Sequence, residues 1–424
     1  MTSTYADMIA SATEYLEVAS TNHYPDLSSS YTTFSTLLNQ KLYHQLAVKL
    51  LSFVSDSTNL RSTPEGTNSF LALFDSVVLA VEKKVNPLTL ARIASNVSHS
   101  LLNTTLYSKD DKTATSDGEA AKALLENLLE KKDMLGIPAT LYAEAKLHLL
   151  KLFLLEGNQI TGSTTMNAIS ADTSNSTPSA HRTSSLESTR VMLERNTPIL
   201  TELAQGTESD VAVVHAAHHE CAMTYRKVVG PPEKFYKDAI QYLSYTPLDT
   251  LDGGTQHVLA TDVSLAALTG AGVYNFGEVV HNNAALLASL ENERGGESSW
   301  LVGLMKAAAS GDVTAMETIW DAHSTQDSVA GRLLTQRIAV VREKITLLAL
   351  VNMVFERASS DRTLKFDDIA KRTHVPIDDV EWVVMRALSL GLIGGTMDQV
   401  DATVDVHWVM PRVLDAAQMN DMAT

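Results

Sequence analysis

Apolar residues recur every three or four positions over most of this chain, the period of a helix with one buried face. The pattern is weak at Tyr5–Val18. It strengthens into a helical pair at Tyr31–Val54, where Leu37, Leu38, Leu42, Leu46, Leu50 and Leu51 form the stripe. Phe70–Lys84 follows, stopped by Asn86-Pro87, and Leu88–Leu101 resumes the period. Glu119–Leu135 carries Ala121, Leu124, Leu125, Leu128 and Leu129 on one face and is closed by Gly136 and Pro138. Leu141–Leu155 is apolar on most sides, as expected of a helix sandwiched between neighbours. Further helices are predicted from about Leu186, then at Asp210–Val228, Phe235–Tyr242, Val258–Gly270, Val279–Glu291, Trp300–Ala308 and Val313–His323. Leu334, Ile338, Val341, Ile345, Leu348, Val351 and Phe355 mark one long amphipathic helix. No strand-like alternation of any length precedes residue 363, and no fixed repeat period is present. The expectation is a mostly α chain, a right-handed array of helical hairpins of the solenoid kind.

The pattern changes near the C-terminus. Thr363–Phe366 is a short β-prone run, and Asp367 is placed to cap a helix reading IAKRT, which Val375-Pro376 interrupts. Asp378 with Glu381 spells a capping box for a second helix. Val380, Val383, Val384, Ala387 and Leu388 are its buried stripe and Gly391 its stop. Gly394-Gly395 lead into a strand, Asp398–Ala402 is a polar turn, and Thr403–Trp408 alternates strictly. That alternation puts Val404, Val406 and Trp408 on one face and Thr403, Asp405 and His407 on the other. Strand, helix, helix, strand, strand is a winged helix.

One stretch breaks the helical rhythm. Thr161–Ser188 is half Ser and Thr with almost no large apolar residue, so it buries too little surface to offset its ordering entropy. It reads as an unstructured insertion, with Arg182–Ser185 as a kinase-like motif and Asn175–Thr177 as a sequon. The expected division is then 1–30 as an N-terminal extension, 31–243 as a helical-repeat arm interrupted at 161–188, and 244–360 as a second helical part. The winged helix takes 361–412 and a short tail 413–424.

Charge narrows the partners. The formal net charge is −17, from 50 acidic against 33 basic residues, which repels phosphate backbones and acidic lipid surfaces. The winged helix follows suit, with six basic and nine acidic residues between Asp361 and Arg412, a net of −3. Its second helix occupies the position that reads DNA in other winged helices, yet it opens with three acids and holds only Arg386 as a base. Nucleic acid is therefore the disfavoured partner. The single cysteine, Cys221, excludes an intramolecular disulfide and fits a reducing cytoplasmic or nuclear compartment. The first basic residue is Lys41, so no signal peptide or Arg-rich presequence is expected at the start. The longest apolar run, Leu347–Phe355, is interrupted by Asn352 and is too short to span a bilayer.

Candidate chemistry is sparse. His215, His218, His219, Glu220 and Cys221 form the one dense set of ligand-type residues, and His215 with His219 has a one-turn spacing suited to zinc. The metalloprotease pattern begun by His219-Glu220 fails, because Met223 stands where its second histidine belongs. Cys221 shares a face with Val214, Ala217 and Tyr225, which favours a packed structural helix. Phosphate-loop and nucleophile-elbow motifs are absent, and the paired carboxylates Asp367/Asp368 and Asp378/Asp379 are explained by helix starts. No enzyme, cofactor or metal is expected.

A helical array leading into an acidic winged helix resembles the PCI-domain family, whose members serve the proteasome lid, the signalosome and a translation initiation factor complex. Phe366–Asp415 resembles the proteasome-lid members in its wording. So do Leu37–Val54 (LLNQKLYHQLAVKLLSFV), Lys84–Leu90 (KVNPLTL), Phe235–Leu243 (FYKDAIQYL) and Gly272–Val280 (GVYNFGEVV) with Ser299-Trp300-Leu301 after it. The resemblance implies a non-catalytic scaffold supporting ubiquitin-dependent degradation, hetero-oligomeric with other lid PCI subunits and neighbouring regulatory-particle subunits. It implies docking through the winged-helix strands and second helix. The expected interface residues are Asp378, Arg386, Gly394, Gly395, Met397, Thr403, Asp405 and His407, with strand Thr403–Trp408 offering an unpaired edge. The alternatives are a signalosome or initiation-factor subunit, or a winged-helix nucleic-acid binder. Family members continue past the winged helix into a long C-terminal helix. About a dozen residues follow Arg412 here, enough for only a short one.

Overall fold

The computed structural model describes residues 2–61, 68–107, 111–156, 180–204, 211–291, 298–323, 329–357, 362–411 and 413. Among them are eighteen α-helices and three short strands, and every strand lies beyond residue 362. The helical hairpins and the C-terminal winged helix read from the sequence are both present. The described residues form two compact units, one running to Tyr225 and the other starting at Arg226.

The first unit begins with a helix at Thr2–Val18 that is part of its core, since Ala12, Leu16 and Ala19 are fully buried. Residues 1–30 read as an extension in the sequence, whereas Ala12, Leu16, Ala19 and Tyr24 among them belong to the core of this unit. Tyr24, Tyr31, Phe34, Phe53 and Phe70 interlock beside them, with ring centroids 5.4–6.0 Å apart and mostly edge-to-face. The expected Phe70–Lys84 helix forms but is irregular. It widens by one residue at Phe74–Val78 and tightens at Glu82–Lys84. Asn86 then caps the Pro87–Tyr107 helix, its side-chain oxygen accepting from the Leu88 N–H at 2.9 Å.

Helices Asp111–Glu130 and Lys132–Glu156 complete this layer. The stop expected at Gly136 and Pro138 is a break with Gly136 at φ 71°, after which the helix restarts. Glu144, nearly buried, gathers Lys132 at 3.3 Å, Asn196 at 3.2 Å and Arg195, so its charge is matched inside the layer. The next helix spans Ala180–Leu203 and takes in the end of the stretch read as an unstructured insertion. The reason lies in Thr189, Met192, Leu193, Asn196 and Leu200, whose burial extends the helix N-terminally through Ser185, whose carbonyl accepts from the Ser188 and Thr189 hydroxyls. The rest of the insertion, with its sequon, lies outside the described residues.

The second unit is built on the helix Val329–Phe355, which buries Leu334, Val341, Ile345, Leu350 and Val354 almost completely. Gly253–Thr269 packs on it and is buried from Leu259 to Thr269, explaining why its sequence shows no amphipathic stripe. The C-terminal carbonyls of that helix are satisfied by Lys344, whose Nζ donates to Ala267 and Gly270 at 2.6 Å and Leu268 at 3.3 Å. The same ammonium lies 5.7 Å from the Tyr274 ring and 5.4 Å from that of Phe276. Lys227, half-buried, pairs with the buried Asp262 at 2.7 Å.

Candidate docking surface on the winged helix

The winged helix consists of β1 (Thr363–Lys365), helices Phe366–Thr373 and Ile377–Ser389, β2 (Ile393–Asp398) and β3 (Thr403–Val409). Its core is Leu364, Ile369, Val380, Val383, Val384, Ala387, Ile393, Val404 and Val406, each almost fully buried. The first helix ends at His374, held at φ 56°, with Val375-Pro376 behind it. The second ends in a Schellman turn: Leu392 N–H donates to Ala387 at 3.0 Å and Gly391 sits at φ 66°. Both stops are where the sequence puts them.

The starts differ. Lys365 and Pro376 occupy the cap positions, and neither helix has a side-chain cap. Asp367 and Asp378 lie two residues past these caps, and Asp368 and Asp379 three, inside the first turn, where the helix dipole still favours a carboxylate. The expected capping box does not form, because Pro376 in extended conformation starts the helix at Ile377; Glu381 instead accepts from Gln399 at 2.9 Å.

The sheet order is β1-β3-β2, all antiparallel. Thr403–Trp408 thus lies in the middle of the sheet rather than at an edge, which corrects the expectation of an unpaired strand there. The edges are β1 and β2. Trp408 is corrected as well. Gly394 pairs with Trp408 and Gly395 with Val406, so β3 bulges at His407 and its alternation slips by one residue. Val404 and Val406 face the core as expected, while Trp408 is 45% exposed. Gly395 permits the bulge, since a Cβ there would lie 2.2 Å from the Asp405 carbonyl oxygen.

The eight expected interface residues do not gather into one patch. Thr403 and Asp405 share the outer sheet face with their cross-strand partners Lys365, Thr363 and Thr396, and His407 is exposed just beyond them. Met397 pairs with Val404 and shares its inward face. Gly394 and Gly395 lie opposite the bulge, across from His407. Asp378 and Arg386 lie on the solvent side of the second helix, where Arg386 Nε donates to Glu343 of the long helix at 2.8 Å.

Sequence reasoning missed what else lies on that helix. Trp382 is 52% exposed and Met385 46%, with Ile377 exposed at its start. The signal was available, because positions 378, 382, 385 and 389 fall opposite the Val380–Val383–Val384–Ala387 stripe at 100° per residue. A groove of about 450 Å³ runs beside Trp382 between this helix and the long helix.

The histidine cluster has a different character. On the helix Val211–Val229, His215, His218 and Cys221 are buried, and the His215 and His219 rings stack 6.3 Å apart instead of converging on a point. Burial lowers the basicity of His215 and pushes the Cys221 thiol well above its ordinary value. Among the described residues no group of three or more His, Cys, Asp or Glu side chains is placed to hold a metal ion. Among them, too, no helix is long and apolar enough to cross a membrane.

Comparison with known proteins agrees with this architecture. The family described as PSD13 N-terminal repeats matches residues 30–305, well over half the chain. The chain belongs to the PSD13 family. A PCI domain matches residues 325–408 of this PSD13-family chain, covering the end of the second unit and the winged helix. Among its relatives is the 26S proteasome non-ATPase regulatory subunit 13 homolog B of Arabidopsis thaliana, 29% identical over 97% of this chain and 92% of the relative. The 26S proteasome regulatory subunit RPN9 of Saccharomyces cerevisiae is 34% identical over 47% of this chain and 48% of its own length. Eukaryotic translation initiation factor 3 subunit M of Neosartorya fischeri is similar at 24% identity over 50% of the chain.

Proposed function

We propose that this PSD13-family chain is a non-catalytic structural subunit of the 26S proteasome regulatory-particle lid. There it would support assembly for ubiquitin-dependent degradation in cytoplasm and nucleus. The observation that carries the reading is likeness to a proteasome regulatory subunit along 97% of the chain, helical part and winged helix together. The initiation-factor likeness covers only half, which places that alternative second.

The winged helix docks against neighbouring PCI subunits in this reading, and residues 31–243 act as an arm toward other regulatory-particle subunits. Asp378, Arg386, Gly394, Gly395, Met397, Thr403, Asp405 and His407 remain interface candidates, now sorted into a helix side and a sheet side. Duplex DNA is disfavoured because Asp378 and Asp379 stand where a reader presents bases and Arg386 is already held by Glu343. The test is affinity purification of the tagged full chain from cell extract with identification of co-purifying subunits. Recovery of proteasome lid subunits is expected; recovery of signalosome or initiation-factor subunits in their place would overturn the assignment.

A further inference from the structure

The second helix of the winged helix leaves a tryptophan uncovered beside the exposed carboxylates of Asp378 and Asp379. Trp382 forms one wall of the groove of about 450 Å³, and Glu343, Leu347, Val375 and Asp379 line the rest. The floor is apolar, since Leu347 and Val383 are almost fully buried. Its two acids differ. Glu343 is engaged by Arg386 at 2.8 Å. Among the described residues no cation pairs with Asp379 or with Asp378 next to it. A half-exposed indole, an apolar floor and an unmatched carboxylate meet in one concave site.

We propose that this groove seats a lysine or arginine side chain presented by a partner protein. The aliphatic stem lies along Leu347 and Val375, the cationic head over the Trp382 face and against the Asp379 carboxylate. Charge complementarity selects this occupant. The indole face and the carboxylate both attract a cation, and the chain as a whole carries −17. An acidic or purely apolar segment would leave Asp379 unanswered beneath it. The inference deepens the docking reading of the winged helix by giving its helix side a partner chemistry, and it can fail separately from that reading.

The test uses the full chain labelled with 5-fluorotryptophan, which places one fluorine on each of its four tryptophans. Trp382→Phe identifies the Trp382 resonance. Titration with N-acetyl-arginine amide is expected to move that resonance saturably at millimolar concentration. The isosteric N-acetyl-citrulline amide, which lacks the charge, leaves it in place. Asp379→Asn weakens the arginine response about fivefold, the worth of one partly exposed ion pair. An unmoved resonance, an equal response to citrulline, or full affinity in Asp379→Asn would overturn the proposal. So would a shift produced by raising protein concentration alone, which would assign the groove to a second copy of the chain. In cells, Asp379→Lys is expected to lose lid subunits that the unaltered chain recovers; equal recovery by both refutes the groove's role. Failure of the unaltered chain to recover them refutes the lid assignment and leaves the arginine titration to decide the groove.

Discussion

Gly395→Ala tests the bulge on which the geometry of the wing depends. An added Cβ would lie 2.2 Å from the Asp405 carbonyl oxygen and 3.1 Å from the Val406 Cα. Both are backbone atoms of the paired strand, so no rotamer change makes room. Either β2 and β3 separate locally, or the bulge slides out and β3 shifts by one residue. A shift would restore strict alternation and turn Trp408 onto the core face beside Val404 and Val406, adding an indole where two valines now pack. Forced insertion of a methyl group costs about 1–3 kcal/mol, and a backbone clash belongs at the upper end, about 2–3 kcal/mol. Amide exchange across residues 393–409 of the full chain, followed by mass spectrometry, should then accelerate by roughly 30- to 150-fold. Gly394→Ala is the matched control. Its Cβ would meet the Trp408 Cβ at 3.3 Å, a tight contact that small strand adjustments relieve, so its effect stays within about 1 kcal/mol. Exchange in Gly395→Ala within threefold of the unaltered chain, or a larger effect from Gly394→Ala, would refute the bulge reasoning.

Trp408→Ala is expected to cost less than about 1 kcal/mol because the ring is 45% exposed, whereas Val406→Ala, removing two buried carbons, costs about 1.5–2.5 kcal/mol; exchange in the winged helix should rank them in that order. Cys221 is buried with its thiol pushed up by burial, so iodoacetamide should label the native chain far more slowly than the urea-unfolded one; rapid stoichiometric labelling of native protein would contradict the packing. Burial holds the Lys344 ammonium down to about 7, below its ordinary 10.5, while Glu233 pulls the other way. The unfolded chain therefore binds the extra proton between these values, and stability relative to Lys344→Met should rise as pH climbs from about 7 toward 10; a flat difference in urea midpoints across that range would mean the three carbonyls keep the ammonium charged throughout.

What the sequence made legible was whatever a local period or a local stop decides. The Leu37–Leu51 stripe, the Gly136 break, the Gly391 turn and the order of elements in the winged helix are all encoded within a few residues of where they act. The failures share a different cause. Strict alternation puts Trp408 on the face of Val404 and Val406, and only pairing across two strands reveals the bulge that turns it outward. Thr403–Trp408 reads as an edge because strand order is a property of the sheet, and β1, three residues long, leaves no signal of which neighbour it joins. Asp378 reads as a cap because Asp at the start of an apolar stripe usually is one, but Pro376 occupies that position. The exposed face bearing Trp382 is legible too, because it lies opposite the buried stripe of the same helix.

Strand order also decides how the winged helix can meet a partner. With β3 in the centre, strand addition is left to β1 and β2. β1 offers three residues, too few to specify a register. β2 begins at the bulge and ends in Asp398, whose carboxylate is tied to the Val400 and Asp401 N–H groups in the following turn. A bulge that twists the strand and a charge at its end are the devices by which edges are blunted against pairing. Backbone augmentation is therefore the weaker route, and the docking proposed for the winged helix falls to the side chains that remain uncovered. They lie in two places: Trp382 and Met385 on the helix, His407 and Trp408 on the sheet. A tryptophan in each, at about half exposure, has the size and low rotamer entropy that concentrate binding energy at protein interfaces. The helix in the position that reads bases in DNA-binding winged helices thus carries the reverse charge and an indole here, a combination suited to cationic side chains.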